Sequence, residues 1–284
     1  MKNYTQAPLP FMGQKRRFIK EFKKVLAGYS DDIVVVDLFG GSGLLSHVAK
    51  KEKPKAKVIY NDYDGYHKRI ADIPRTNALL SEIRAITEGL PKDKMVPNEK
   101  KEEILNVIRR EEINGTIDYI TLSASLLFSM KYATNFTELS KETFYNNVRK
   151  APYDANGYLD GLTIVCKDYK ELFFEYKDVD DVLFLIDPPY LSTEVGTYNM
   201  TWKLADYLDV LTILQGANYV YFTSNKSQII ELCEWLGENK IKSNPFKDSL
   251  QVKIDTTLNY TSKYTDIMIY RQQNEKEQVL QSFG

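Results

Sequence analysis

Ile33-Val34-Val35-Val36-Asp37-Leu38-Phe39-Gly40-Gly41-Ser42-Gly43 reads as a strand over 33–38 running straight into a glycine turn. The strand is apolar apart from one acid, as expected of a strand covered on both faces. Residues 44–49 then open a helix, and a second strand over 57–60 stops at Asn61-Asp62-Tyr63-Asp64. Strand, glycine turn, helix, strand and acid make the front half of a Rossmann-like α/β sheet. The turn has neither the GxGxxG spacing of a dinucleotide site nor the GKS/T ending of a phosphate-binding loop.

Upstream, Phe18, Ile19, Phe22, Val25 and Leu26 recur at helical spacing and predict a helix over 15–26, closed by Gly28. Downstream, helical segments over 69–87, 99–112 and 117–130 precede a polar, aromatic stretch that runs to Tyr158. That interval is too long for a simple crossover and predicts a crossover helix followed by a mainly helical insertion. Sheet sequence resumes over 162–165 and 182–186, the latter ending in Asp187-Pro188-Pro189-Tyr190. A helix over 204–214, a strand over 219–223, a helix over 228–236, a strand over 265–270 and a polar tail over 272–284 complete the pattern. The expected division is a sheet domain from 1–70 and 161–284, with the crossover and insertion over 71–160.

With 284 residues, 43% of them hydrophobic and 27% charged, the chain can bury a large core and carry a second, smaller one. It has no apolar run of the ~18 residues that a membrane span needs, and residues 1–10 lack a secretory pattern, so a cytoplasmic location is expected. Cys166 and Cys233 stand far apart without a CxxC, and His47 and His67 are the only histidines. A disulfide framework, a metal centre and histidine-based catalysis are therefore not expected. The formal net charge of −1 argues against indiscriminate attachment to nucleic acid but permits a local basic groove.

Glycines at a strand's carboxyl end let a ligand approach the backbone of Asp37, Phe39, Gly41 and Gly43, although a plain tight turn has the same composition. Asp62 reads either as an acceptor for both hydroxyls of a ribose or as a helix N-cap. Asp168 reads as an acceptor for an adenine amine or as a capping residue, with Tyr169 beside it at the end of a strand. Lys15 suits a carboxylate partner or plain solvent, and Phe11 and Phe39 suit pocket walls or the core. The double proline at 188–189 cannot continue a central ladder, so the chain must turn rigidly there. If adenine is the substrate, the Asp187 carboxylate and Pro188 carbonyl could hold the N6 hydrogens while Tyr190 stacks on the base. Thr223-Ser224-Asn225 suits a pocket floor or a helix-capping turn.

Together these residues resemble the Dam-type DNA adenine-N6 methyltransferase family. The resemblance rests on Phe11-Met12-Gly13-Gln14-Lys15, the 37–43 turn, Asn61-Asp62, Lys167-Asp168-Tyr169 and Asp187-Pro188-Pro189-Tyr190, in the family's order. It implies S-adenosyl-L-methionine as cofactor, with Lys15 and the turn around its methionine part, Asp62 on its ribose and Asp168 on its adenine. It also implies double-stranded DNA as partner, with a flipped adenine received by Asp187, Pro188, Pro189 and Tyr190. The leading aspartate favours adenine N6 over cytosine N4, and neither cysteine follows a proline as cytosine C5 chemistry would require. The insertion would be a target-recognition region, in which Lys131, Lys141, Arg149 and Lys150 suit phosphate while Asn135, Asn146 and Asn147 suit base edges. An ordinary solvated loop accounts for the same residues one by one. Gln14 replaces a common glycine and the asparagine-glycine pattern is absent around Asn135-Phe136, so a GATC target does not follow. The resemblance allows a cognate restriction endonuclease as a further partner; the residues leave that and the oligomeric state open. RNA or protein methylation, or DNA binding without catalysis, are the competing readings.

Overall fold

The computed structural model describes residues 2–128, 131–189, 203–259 and 262–271. A 3-10 turn at Arg16–Phe18 leads into α1 (Ile19–Ala27), which buries Ile19, Phe22, Val25 and Leu26 along one face. Next come β1 (Val34–Asp37), α2 (Leu44–Glu52) and β2 (Lys57–Asn61). A helical stretch follows, consisting of α3 (Tyr66–Ala71), α4 (Ile73–Ile86), α5 (Asn98–Ile113), α6 (Tyr119–Leu126) and α7 (Phe136–Lys141). Alternation then resumes with β3 (Leu162–Val165), α8 (Tyr169–Tyr176), β4 (Val182–Ile186), α9 (Leu204–Leu214), β5 (Tyr219–Ser224) and α10 (Ile229–Glu238). A final pair, β6 (Leu250–Asn259) and β7 (Ser262–Arg271), closes the sheet.

The strands form one sheet in the order β3-β2-β1-β4-β5-β7-β6. Strands β1 to β5 are parallel, and β7 runs antiparallel to both of its neighbours. Between β1 and β4 the direction of winding reverses, which in an open α/β sheet leaves a crevice at the carboxyl ends of those two strands. The register sets Asp37 level with Tyr60 on β2 and with Leu185 on β4, so the turns after all three strands meet at one edge.

Both faces of the sheet are covered, which is why its central strands are apolar throughout. Val35, Leu183, Leu185, Val220 and Phe222 pack with α1 and α2, whereas Val36, Phe184, Ile186, Tyr219 and Tyr221 pack with α8, α9 and α10. A third cluster, including Leu80, Ile83, Ile104, Ile108, Leu122, Leu126, Leu139 and Phe144, lies within the stretch between β2 and β3. Those helices thus have a core of their own.

The expected Rossmann-like sheet is present, with several local differences. Tyr169, expected at a strand end, is the first residue of α8: Asp168 accepts from the Lys170 N–H at 2.8 Å and starts a helix there. The helix expected over 69–87 is two, because Pro74 in the first turn of α4 cannot sit in a helix interior. Strand β6 and helix α7 were not expected. Tyr190 and the 272–284 tail lie outside the described residues. Among the described residues no helix is long and apolar enough to cross a membrane.

Candidate active site

The chain leaves β1 at Asp37 and folds back at once, with the Gly43 N–H donating to the Gly40 carbonyl at 2.7 Å. Gly41 and Gly43 have φ of +49° and +72°, which glycine adopts without strain. A Cβ on Gly40 would come within 2.3 Å of the Tyr60 ring and 2.8 Å of the Asn61 carbonyl, so the turn is seated directly on the end of β2. Two tyrosines brace it: Tyr60 donates to the Gly41 carbonyl at 2.7 Å and Tyr158 to the Ser42 carbonyl at 3.0 Å. Phe11 walls the other side, its ring 3.1 Å from the place a Gly41 Cβ would take. His47 does local work behind the turn, with Nδ1 2.7 Å from the Tyr158 carbonyl and its ring stacked on that residue.

The sheet topology brings together two charged groups 172 residues apart: Lys15 Nζ donates to Asp187 Oδ2 at 2.5 Å and to the Gly13 carbonyl at 2.8 Å. Lys15 is buried and lies 5.7 Å from the centre of the Phe222 ring, so it is not a solvent lysine. Burial pushes the Asp187 carboxyl above the usual carboxylate range, the Lys15 charge opposes that, and Asp266 on β7 adds repulsion. Asp37 is more secluded. Burial pushes its carboxyl up to about 7, chiefly by desolvation, against a 2.7 Å hydrogen bond from Ser46 Oγ. Asp187 and Pro188, which follow β4, thus lie at the same sheet edge as the turn that follows β1. Among the described residues no group of three or more His, Cys, Asp or Glu could hold a metal ion.

At the end of β2, Asn61 ties three loops together: its amide donates to the Leu38 and Lys167 carbonyls, each at 3.0 Å, and its Oδ1 accepts from the Lys167 N–H at 2.9 Å. Asp62 is buried and accepts from the Tyr66 and His67 N–H groups, each at 2.7 Å, which is the capping arrangement. His67 Nδ1 also contacts its Oδ2. Phe39 meets the Tyr169 ring at 5.0 Å, forming an aromatic wall after β1 and β3, with the exposed Asp168 at its rim. A buried cation, buried carboxylates, a glycine turn and an aromatic pair are thus gathered at the carboxyl ends of β1, β2, β3 and β4. Asn61, Gly40 and Ser46 are the residues whose roles sequence reading missed; their signal is burial and position, which composition does not carry.

Away from this edge, Asp93, Ser123, Ala124, Leu127, Phe128, Lys131, Tyr132, Tyr145 and Asn147 line a cavity of about 440 Å³ in the insertion. Phe128 is 63% exposed although its ring contacts that of Tyr145. Of the residues expected to meet DNA, Lys131 and Asn147 line this cavity, and Lys131 also pairs with Glu142. Asn135 caps α7 through the Glu138 N–H, while Asn146 donates to the Leu90 carbonyl. Lys141, Arg149 and Lys150 are exposed, with the Arg149 guanidinium 4.1 Å from the centre of the Tyr153 ring.

Residues 11–251 match the model of the D12 class N6 adenine-specific DNA methyltransferases. A Haemophilus influenzae protein named "Putative methyltransferase" is 38% identical over 282 residues, covering 95% of this chain and 93% of its own. A solved precorrin-6y C5,15-methyltransferase from Geobacter metallireducens aligns over 95% of this chain and 100% of its own, at 9% identity and a TM-score of 0.37. That last likeness is too slight to bear on substrate or fold.

Proposed function

Because the chain belongs to the family of D12 class N6 adenine-specific DNA methyltransferases, we propose that it methylates the N6 of an adenine flipped out of duplex DNA. The observation that carries this reading is the meeting of Lys15, the glycine turn and Asp187 at the switch point of the sheet. S-adenosyl-L-methionine would supply an electrophilic methyl group. Lys15 would hold its carboxylate, Asp37, Phe39, Gly41 and Gly43 would surround its methionine part, Asp62 its ribose, and Asp168 and Tyr169 its adenine, with Phe11 as a wall.

The adenine amine is a poor nucleophile because its lone pair is delocalised into the ring. Asp187 and the Pro188 carbonyl would accept its two hydrogens, favouring a tetrahedral nitrogen and stabilising the positive charge that develops there. Pro189 fixes the course of the chain. Tyr190 would stack on the flipped base. The Lys15 charge beside Asp187 opposes the upward push of burial on its carboxyl and so favours the form that accepts. We also propose 71–160 as the crossover and target-recognition insertion. Its open Phe128 face and adjoining cavity suit a nucleic acid surface, with Lys131, Lys141, Arg149 and Lys150 toward phosphates and Asn147 toward a base edge. Asn135 and Asn146 would read bases only with amide capacity left by their structural bonds.

The test is transfer of labelled methyl from S-adenosyl-L-methionine to a mixed-sequence duplex library, with the product base and its flanks then sequenced. N6-methyladenine at one short motif is expected, with Asp187→Ala lowering kcat by about 10²–10³-fold, as loss of a transition-state partner does elsewhere. Cofactor binding without transfer to any duplex would defeat the reading.

A further inference from the structure

Arg69 stands on α3, at the root of the insertion, and addresses three parts of the chain. Its Nε donates to Asp118 Oδ2 at 3.0 Å, and its Nη2 donates to the Pro10 carbonyl at 2.9 Å and to Thr121 Oγ1 at 3.4 Å. The guanidinium also lies 5.2 Å from the centre of the Tyr66 ring. This ion pair is secluded, with side chains 15% and 3% exposed, so it is not a screened surface contact.

Each partner leads to a different working part. Asp118 caps α6 by accepting from the Thr121 N–H at 3.0 Å and from Thr121 Oγ1 at 2.7 Å, and α6 runs into the aromatic cavity of the insertion. Tyr132, in that cavity, lies close enough to Arg69 for the positive charge to favour its ionised form, although burial pushes it the other way. Pro10 precedes Phe11, the wall of the glycine turn, whose ring meets Tyr66 edge-on at 5.6 Å. Tyr66 in turn fixes Leu9, accepting from its N–H at 3.0 Å and donating to its carbonyl at 3.2 Å, and its own N–H donates to Asp62.

We infer that Arg69 is a positioning residue that ties the capped start of α6 to the 9–11 segment walling the cofactor turn. Duplex DNA on the insertion and S-adenosyl-L-methionine on the turn thereby strengthen each other's binding. This rests on the proposed function for both ligands. The geometry calls for arginine in particular, because its planar fork serves a carboxylate and a carbonyl at once, which a lysine ammonium at this position would not reproduce.

The experiment measures the Kd of S-adenosyl-L-methionine with and without a saturating duplex carrying the methylation site, for the wild type, Arg69→Lys, Arg69→Ala and Asp118→Asn. Asp118→Asn keeps one oxygen to cap α6 through the Thr121 N–H and replaces the charged oxygen that accepts from Arg69 with an amide donor, so it breaks the tie while leaving the cap. Hydrogen–deuterium exchange over residues 6–14 is compared in the same four proteins without ligands. The wild type is expected to bind cofactor at least about fivefold more tightly with DNA, the lower end of usual couplings. All three variants should lose most of that factor, and the 6–14 segment should exchange faster in Arg69→Ala and Asp118→Asn. A wild-type ratio of one, a ratio that survives Arg69→Ala, or unchanged exchange over 6–14 would overturn the inference. Should the wild type bind no DNA, the proposed function falls, and the exchange comparison alone upholds or overturns the tie.

Discussion

At Asp37 the fold holds a carboxyl whose ionisation works against folding. Burial pushes it from 3.8 up to about 7, so below 3.8 it is protonated whether the chain is folded or not. Between those values the folded chain keeps a proton that the unfolded chain has lost. Stability therefore falls as pH rises through this window, by about 1.4 kcal/mol per unit and about 4 kcal/mol in all, and is level above it. Asp37→Asn keeps an oxygen to accept from Ser46 Oγ and removes the titration. Urea unfolding of the two proteins at pH 5 and pH 8 should show the variant gaining on the wild type by about 3 kcal/mol over that interval. Parallel pH curves would mean that Asp37 is ionised in both states. The Lys15–Asp187 pair shows what single residues do not reveal in sequence: each was a candidate alone, and only the strand order places them in contact.

Among the elements, the turn between β1 and α2 has the least room for change. An alanine at Gly40 must push its methyl into the Tyr60 ring and, at 2.8 Å, into a backbone carbonyl that cannot swing aside. Overpacking of this kind costs about 1–3 kcal/mol, and the displaced turn should bind S-adenosyl-L-methionine at least about tenfold more weakly. Gly89 is the control: its φ is +79°, nothing lies within 4 Å of an added methyl, and alanine there costs only the left-handed backbone, about 1–2 kcal/mol. Thermal melting together with cofactor titration distinguishes the two. Equal cofactor affinity in both variants would refute a tight turn at the site. Strands β3 and β4 were legible to the residue because apolar runs bounded by turn signals have few other uses. Edge strand β6 alternates Leu250, Val252 and Ile254 with polar residues, but its Leu250 is exposed and buries little, so the apolar signal was thin. At 168–171 an Asp and a Glu three residues later signal a helix start, which the apolar run before them obscured.

Across the whole molecule, positive and negative charges nearly cancel, at a formal −1, so attraction to DNA must come from where the charges sit. The strand order puts the proposed cofactor edge on the sheet, while the third hydrophobic cluster gives the helices between β2 and β3 a core of their own. Composition hides that arrangement. Arg149 and Lys150 are exposed on the last part of the insertion, where release of counterions from phosphate would be their contribution. Each phosphate contact adds about 0.9 to the slope of log K against log salt, so replacing both by alanine should flatten the slope by about 2 and leave cofactor affinity unchanged. Duplex binding measured from low to moderate salt reads that slope directly. If it stays the same in the double variant, the DNA path does not cross this end of the insertion, and the recognition surface must lie elsewhere on the molecule.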